Sequence, residues 1–299
     1  MPKATDVFDP EQHGIEAVIR ARKVAEQHFE YELSNDPDEI LASMKSFDPM
    51  FTTILRDTGR GSNDVFRCDT VDEQREFYRS GREHMDMIET PMFTSIGSDW
   101  YAFVHGLTGS RLKATGDMLY SEIIGVLPTS PGEDTIAGEI GLSFPIFGKQ
   151  GDAPGAVAHE RVASFGLLQQ WLAAVQQRDA DELASLYSDR MQGALFDPVQ
   201  GAVDTVRGKV GVRDLYGAAF DAYEGLDVEL IIRLIDRWYI FAELRWRYDE
   251  QGEAKMFRTA DVFVPTPENE VIAQLGIGTR AVVAGTDRVG AAIASHGTG

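Results

Sequence analysis

A chain that writes the same short strings twice, in the same order, is constrained to fold as two related units. Trp100-Tyr101-Ala102-Phe103 returns 138 positions later as Trp238-Tyr239-Ile240-Phe241, and at the same displacement Arg75-Glu76-Phe77-Tyr78 returns as Arg213-Asp214-Leu215-Tyr216. Two looser echoes keep the order: Asp36-Pro37-Asp38-Glu39-Ile40 against Asp179-Ala180-Asp181-Glu182-Leu183, and Ile140-Gly141-Leu142 against Leu275-Gly276-Ile277. Their displacements, 143 and 135, drift as loop insertions and deletions make them drift. The pattern reads as a duplicated domain.

The 299 residues suffice for two domains, each with its own core. A net charge of -20 repels phosphate backbones and anionic lipid, so nucleic acid and membrane are not expected partners. A single cysteine, Cys68, leaves no intrachain disulfide or multi-cysteine metal site and suits a reducing compartment. The start, Met1-Pro2-Lys3-Ala4-Thr5-Asp6, lacks the apolar core of a signal peptide, and no later run has the length of a membrane span. A soluble, cytoplasmic protein is expected.

Residues 1–14 read as a polar arm. Helical spacing predicts a long amphipathic helix over 15–33, a short one over 38–44 started by Pro37, and a third over 71–84. Residues 50–55 are strand-like and 57–63 a loop by composition. Strands are predicted over 85–96, 100–107, 117–126 and 136–144. A linker follows at 148–160, marked by Gly151-Asp152-Ala153-Pro154-Gly155. Helices at 165–178, 181–187 and 210–223 and strands at 194–196, 228–235, 238–247, 256–264 and 271–277 then repeat the order, ahead of a small, polar tail. The expected domains are 1–147 and 161–285, with the tail at 286–299. Three helices followed by meandering strands describe an α+β domain in which a curved antiparallel sheet wraps onto its helices.

The order of elements, Ser98-Asp99-Trp100-Tyr101-Ala102-Phe103-Val104-His105, and Phe196-Asp197-Pro198 after a helical pair resemble the NTF2-like superfamily, specifically its SnoaL-like and ketosteroid-isomerase-like members. The resemblance implies two tandem cone-shaped α+β barrel domains, each enclosing a deep, mostly apolar pocket. It also implies pairing of the two domains within the chain and a capacity for homo-oligomers. The tandem arrangement resembles the double-domain epoxide hydrolases that close polyether rings.

Alternation along a strand puts Tyr101, Phe103 and His105 on one face, and Tyr239, Phe241, Glu243 and Arg245 on the matching face of the second half. The resemblance makes that face the pocket lining. His105, able to take and return a proton near neutral pH, is then the candidate base, with Tyr101, Tyr31 or Tyr120 placed to steady substrate oxygen. A histidine satisfied by a backbone carbonyl is the competing reading of His105, and packing that of His28, whose position matches Trp171. His28, Phe103, Tyr120, Tyr239, Glu243 and Arg245 are the candidate substrate contacts. Where family enzymes carry a catalytic aspartate, this chain has Gly141 and Gly276, which leaves Glu139 as the carboxylate of that strand, echoed by neutral Gln274. Asp197, with Asp57 as its approximate counterpart, matches the aspartate of the isomerases and tandem epoxide hydrolases, and Glu224 lies where the latter carry a second acid. Paired carboxylates suit such chemistry because burial and mutual repulsion can separate their pKa values.

Glycine-rich nucleotide loops, a P-loop, a zinc helix and a nucleophile elbow are all missing from the sequence, and six scattered histidines show no metal-ligand spacing. Neither cofactor nor metal is expected. The reading is a cofactor-independent lyase or isomerase, working by dehydration, deformylation or proton transfer on a hydrophobic, oxygenated aromatic or polycyclic molecule. An epoxide hydrolase or cyclase using Asp197 and Glu224 is one alternative, and a non-catalytic ligand-binding or scaffold protein the other.

Overall fold

The computed structural model describes residues 10–44, 50–55, 63–129, 134–146, 161–250 and 252–279. They form a mixed α+β protein of two compact units. The predicted linker, the tail, most of the 57–63 loop and Asp57 lie outside the described residues.

The first unit runs α1 (Pro10–Glu32), α2 (Pro37–Ala42), β1 (Met50–Leu55), β2 (Asn63–Cys68), α3 (Val71–His84), β3 (Met85–Glu89), β4 (Met92–Gly97), β5 (Tyr101–Leu112), β6 (Met118–Pro128) and β7 (Ile140–Ile146). The second runs α4 (Arg161–Gln176), α5 (Ala180–Ser185), β8 (Tyr187–Asp197), β9 (Ala202–Arg207), α6 (Gly208–Ala222), β10 (Glu224–Ile235), β11 (Ile240–Glu250), β12 (Glu253–Pro265) and β13 (Val271–Gly278). Their sheets have the orders β2-β1-β7-β6-β5-β3, with β4 also on β5, and β9-β8-β13-β12-β11-β10. In these orders β2, β1, β7, β6 and β5 stand where β9, β8, β13, β12 and β11 do, and β3 with β4 together take the place of β10.

The sheets are mixed rather than antiparallel as expected. β1 pairs with β7, and β8 with β13, in parallel. These pairs join the first strand of a unit to its last, and the intervening chain supplies the crossover that a parallel pair needs. The strand predicted over 85–96 is two strands, because Pro91 has no N–H to give the ladder. Its carbonyl instead accepts from Leu107 N at 2.9 Å, an approach that Gly106 permits, since a Cβ there would meet Pro91 O at 2.5 Å. Strands β2 and β9 went unpredicted, and helix α1 begins at Pro10, inside the predicted arm.

Helix α1 buries Ala17, Ala21, Val24, Ala25, His28, Phe29 and Glu32, a stripe at helical spacing that ends in polar groups. Asp36 caps α2 by accepting from Asp38 N at 2.9 Å, and Asp179 caps α5 by accepting from Glu182 N at the same distance. Helix α3 starts on a capping box of Thr70 and Glu73. Its Tyr78, with Val24, Ala25, Phe29, Ile40, Leu41, Ala102 and Val104, belongs to the first core. The second core is more aromatic: Trp171 meets Tyr216, Trp246 and Phe263 edge to face, and Trp246 stacks on Phe257.

Candidate functional site

Where the helices of the first unit meet its sheet, four polar side chains share one buried place. His28 and Glu32, one turn apart on α1, are 0% and 6% exposed; Tyr78 comes from α3, and Glu139 from the residue before β7. Tyr78 Oη donates to Glu139 Oε2 at 2.9 Å. His28 Nδ1 stands 2.7 Å from Ser43 Oγ, whose only hydrogen goes to Ile40 O at 2.6 Å. Ser43 must therefore accept, Nδ1 carries a proton, and Nε2 is the atom that confronts the carboxylates. Nε2 lies 3.7 Å from Glu139 Oε2 and 3.8 Å from Glu32 Oε1, too far for a direct hydrogen bond. Arg82, one turn beyond Tyr78 on α3, donates to the backbone carbonyl of Glu32 at 3.3 Å.

The environments of the two carboxylates differ. Burial pushes the Glu32 pKa above the usual range, and the neighbouring Glu139 charge adds to the push. Burial also opposes ionisation of Glu139, but His28, the Tyr78 hydroxyl and Arg82 outweigh it and hold its pKa below the ordinary value. Burial disfavours a charged His28, yet Glu139 and Glu32 overcome that and raise its pKa. Burial, and the charges of Glu139 and Glu32, push the Tyr78 phenol well up, so it stays a donor.

Two cavities give the cluster its access. An inner chamber of about 120 Å³ is lined by Glu32, Tyr78, Glu139, Phe29, Met87 and Gly141, among others. An outer cavity of about 940 Å³ shares Glu32, Phe77, Tyr78, Met87, Thr108 and Ser143 with it, and adds Phe66, Cys68, Arg82 and Met85. The outer volume suits a drug-sized organic guest, while the inner one takes a single small group of it. Cys68 is no nucleophile here, since burial and nearby Glu73 and Asp69 push its thiol up to about 11.

The structure corrects the assignment of the pocket face. Ala102 and Val104 of β5 pack in the core with α1, and Thr108 and Ser110 line the outer cavity; His105 is on the opposite face. There His105 Nε2 bonds Glu122 at 2.8 Å, with Phe93 edge-on at 5.4 Å. Tyr101 and Phe103 share that face, fully buried, and Tyr120 bonds Glu89 at 3.1 Å. In the second unit Ala242, Leu244 and Trp246 face the core, which puts Tyr239, Glu243 and Arg245 on the other side. Glu243 pairs with Arg258 at 3.2 Å, and Arg245 with Glu229 at the same distance. Alternation was read correctly, but the helices approach the face of Ala102 and Val104 in one unit and of Ala242, Leu244 and Trp246 in the other, the opposite face to the one expected.

Other candidates have separate employment. Tyr31 is an i+4 partner of Gln27 on α1. Asp197 Oδ1 accepts from Val199 N and Gln200 N and so caps a turn, and Glu224 is exposed at the start of β10, opposite Asp249. Of the sequence candidates, Glu139 and His28 are brought together; Glu32, Tyr78, Arg82 and Ser43 are additions. Their signal was two i, i+4 polar pairs, His28 with Glu32 and Tyr78 with Arg82, on helix faces that packing buries.

The second unit fills the equivalent place. Trp171 donates to Tyr187 at 2.8 Å, Tyr187 to Gln274 at 2.6 Å, and Gln274 to Asp261 at 3.0 Å. Thr259 supplies the other Asp261 oxygen at 2.6 Å. This network is closed and set in aromatic packing. His28, Glu32 and Glu139 instead keep donor atoms within 4.8 Å of one another, the one such group able to hold a metal ion among the described residues.

Residues 168–273 match the family described as the SnoaL-like domain. No curated protein matches the chain. Among solved structures, a ketosteroid isomerase-like protein of Catenulispora acidiphila, crystallised with trimethylamine, is 15% identical, with TM-score 0.32, over 37% of this chain and 82% of that one. SalBIII, described as an epoxide hydrolase/cyclase-like enzyme of pyran ring formation in salinomycin, is 15% identical, with TM-score 0.35, over 40% and 92%. A SnoaL-like protein of Burkholderia thailandensis is 19% identical, with TM-score 0.33, over 40% and 96%. No helix among the described residues is long and apolar enough to cross a membrane.

Proposed function

We propose that the chain is a tandem of two NTF2-like domains in which the first is a cofactor-independent lyase or isomerase and the second keeps the fold with a filled interior. The substrate is a hydrophobic, oxygenated molecule that occupies the outer cavity and offers one reacting carbon to the inner chamber. The observation that carries the reading is the placement of two carboxylates, Glu32 and Glu139, on the wall of that chamber, with the buried His28 Nε2 3.8 Å and 3.7 Å from them and hydrogen-bonded to neither. Glu139, kept ionised, removes the proton; Glu32, whose environment favours its acid form, delivers one to the developing oxyanion. His28 moves charge between them, held in one tautomer by Ser43, and the Tyr78 hydroxyl fixes Glu139. The apolar walls Phe29, Met87 and Leu142 keep water from competing.

Epoxide opening by Asp197 and Glu224 is the less favoured reading, because Asp197 Oδ1 caps a turn and Glu224 is exposed. A panel of β-hydroxy ketones, diols and epoxides, incubated with the protein and followed by mass spectrometry, tests the reading. Isomerised or dehydrated product, lost in Glu139→Gln, supports it. Hydrated epoxide product alone would move the chemistry to ring opening, and no turnover with guest bound in the cavity would leave a binding protein.

A further inference from the structure

We propose that His28, Glu32 and Glu139 form a binding site for one divalent first-row transition-metal ion, and that the ion holds the side chains otherwise available for proton transfer. The inference rests on the geometry of the three donors and not on the reaction assigned above. Zinc with ligands at roughly 2.0–2.2 Å holds adjacent ligand atoms about 3.4 Å apart in tetrahedral geometry. The observed separations from His28 Nε2, 3.7 Å and 3.8 Å, exceed a hydrogen bond and come within a few tenths of an ångström of that spacing.

The surroundings have the form of a ligation shell. A ligating imidazole commonly donates its other N–H to an oxygen that fixes tautomer and orientation, as His28 Nδ1 does to Ser43. A ligating carboxylate is in turn hydrogen-bonded, as Glu139 is to Tyr78. Neutral imidazole with two carboxylates leaves a charge that a divalent ion offsets, and nitrogen with carboxylate oxygen suits zinc, cobalt, manganese or iron. The inner chamber offers room for a water or substrate oxygen as fourth ligand. The second unit provides a comparison within the chain: Trp171 and Gln274 stand where His28 and Glu139 do, and neither position offers an ionisable ligand there. While an ion occupies the three donors, its positive charge offsets the negative charge of Glu139 and lowers the basicity of the carboxylate, so the metal-loaded form does not carry out the proposed proton transfer.

The test is equilibrium dialysis of the chelator-stripped full chain against zinc chloride, with metal analysis, together with the visible spectrum after cobalt(II) loading. The result expected is one tightly held ion per chain and the intense d–d absorption of low-coordinate cobalt bound to nitrogen and oxygen. His28→Ala and Glu139→Gln lose both, and the surface variant His84→Ala keeps both. Tyr78→Phe weakens zinc binding by about 10- to 100-fold, the usual cost of losing a hydrogen bond to a ligand. Circular dichroism checks that each variant is folded, and the wild-type cobalt spectrum reads the site without any substitution. An octahedral aquo-cobalt spectrum in the wild type, or zinc binding equal in wild type, His28→Ala and Glu139→Gln, overturns the proposal. Neither readout measures turnover, so this proposal and the acid–base reading fail separately.

Discussion

Glu139 and Gln274 occupy equivalent places, each against a buried tyrosine, and the difference between them is one ionisable oxygen. Glu139→Gln therefore keeps an acceptor for Tyr78 and preserves the packing, while it removes the base. Turnover of a substrate found by screening falls by about 10²- to 10⁴-fold, and the melting temperature changes little. The second unit supplies a stability prediction. Burial raises the Asp261 pKa from 3.8 to about 6, against the hydrogen bonds from Thr259 and Gln274. Between those values the folded chain holds a proton that the unfolded chain has released. The contribution to stability is complete below pH 3.8 and is lost as pH rises through about 6, on the order of 3 kcal/mol in all. Urea unfolding between pH 4 and 7 should show this loss in the native chain and a flatter profile in Asp261→Asn.

At the scale of elements, both units end their first long helix on a left-handed residue, Asn35 with φ 60° and Arg178 with φ 57°. Each side chain ties that end to the rest of its unit. Asn35 accepts from Met87 N at 2.6 Å and donates to Met87 O at 3.0 Å, pinning α1 to β3 beside the outer cavity. Arg178 donates to the carbonyls of Tyr223 and Phe220 at the end of α6. Asn35→Ala removes both bonds to Met87 and puts a Cβ residue without a local partner in left-handed backbone; we expect about 1–3 kcal/mol of destabilisation by urea unfolding. The elements were largely legible in the sequence. Asp36-Pro37 and Thr70 with Glu73 are local signals, and the start of α3 was placed correctly because its capping box is written in adjacent residues. Strands β2 and β9 were not legible from the residue pattern, although β9 turns straight back onto β8 with Asp197 opposite Ala202. The parallel β1–β7 and β8–β13 pairs escaped because pairing direction is a property of two distant segments, and neither encodes it alone.

For the molecule as a whole, the four sequence echoes fall at equivalent structural positions: two helix caps, two third helices, the starts of β5 and β11, and the glycine-bearing strands β7 and β13. Gly125 pairs with Gly141 where Asp261 pairs with Gly276, and Val104 with Gly125 where Ala242 pairs with Asp261, so the ladders can be overlaid residue by residue. That overlay makes His105–Glu122 and Glu243–Arg258 the same cross-strand pair, with the nitrogen partner moved from one strand to the other. The same face of each sheet thus keeps a buried polar pair, while the helix-side face lines a cavity in one unit and packs an aromatic core in the other. The site was half legible. Glu139 stood out as the carboxylate of its strand, but the partners of His28 come from α1, α2 and the start of β7, and only folding reveals that they converge.

The central claim is that the first unit's cavity transfers protons through Glu139. The most direct measurement is deuterium wash-in from heavy water at the α-carbon of a panel of hydrophobic ketones, followed by proton NMR, with the chelator-treated protein. The account predicts catalysed exchange by the native chain, its loss in Glu139→Gln, and its persistence in a Gln274→Glu variant that leaves the first unit untouched. Exchange no faster than in buffer for every ketone that binds, or exchange unchanged by Glu139→Gln, would contradict it.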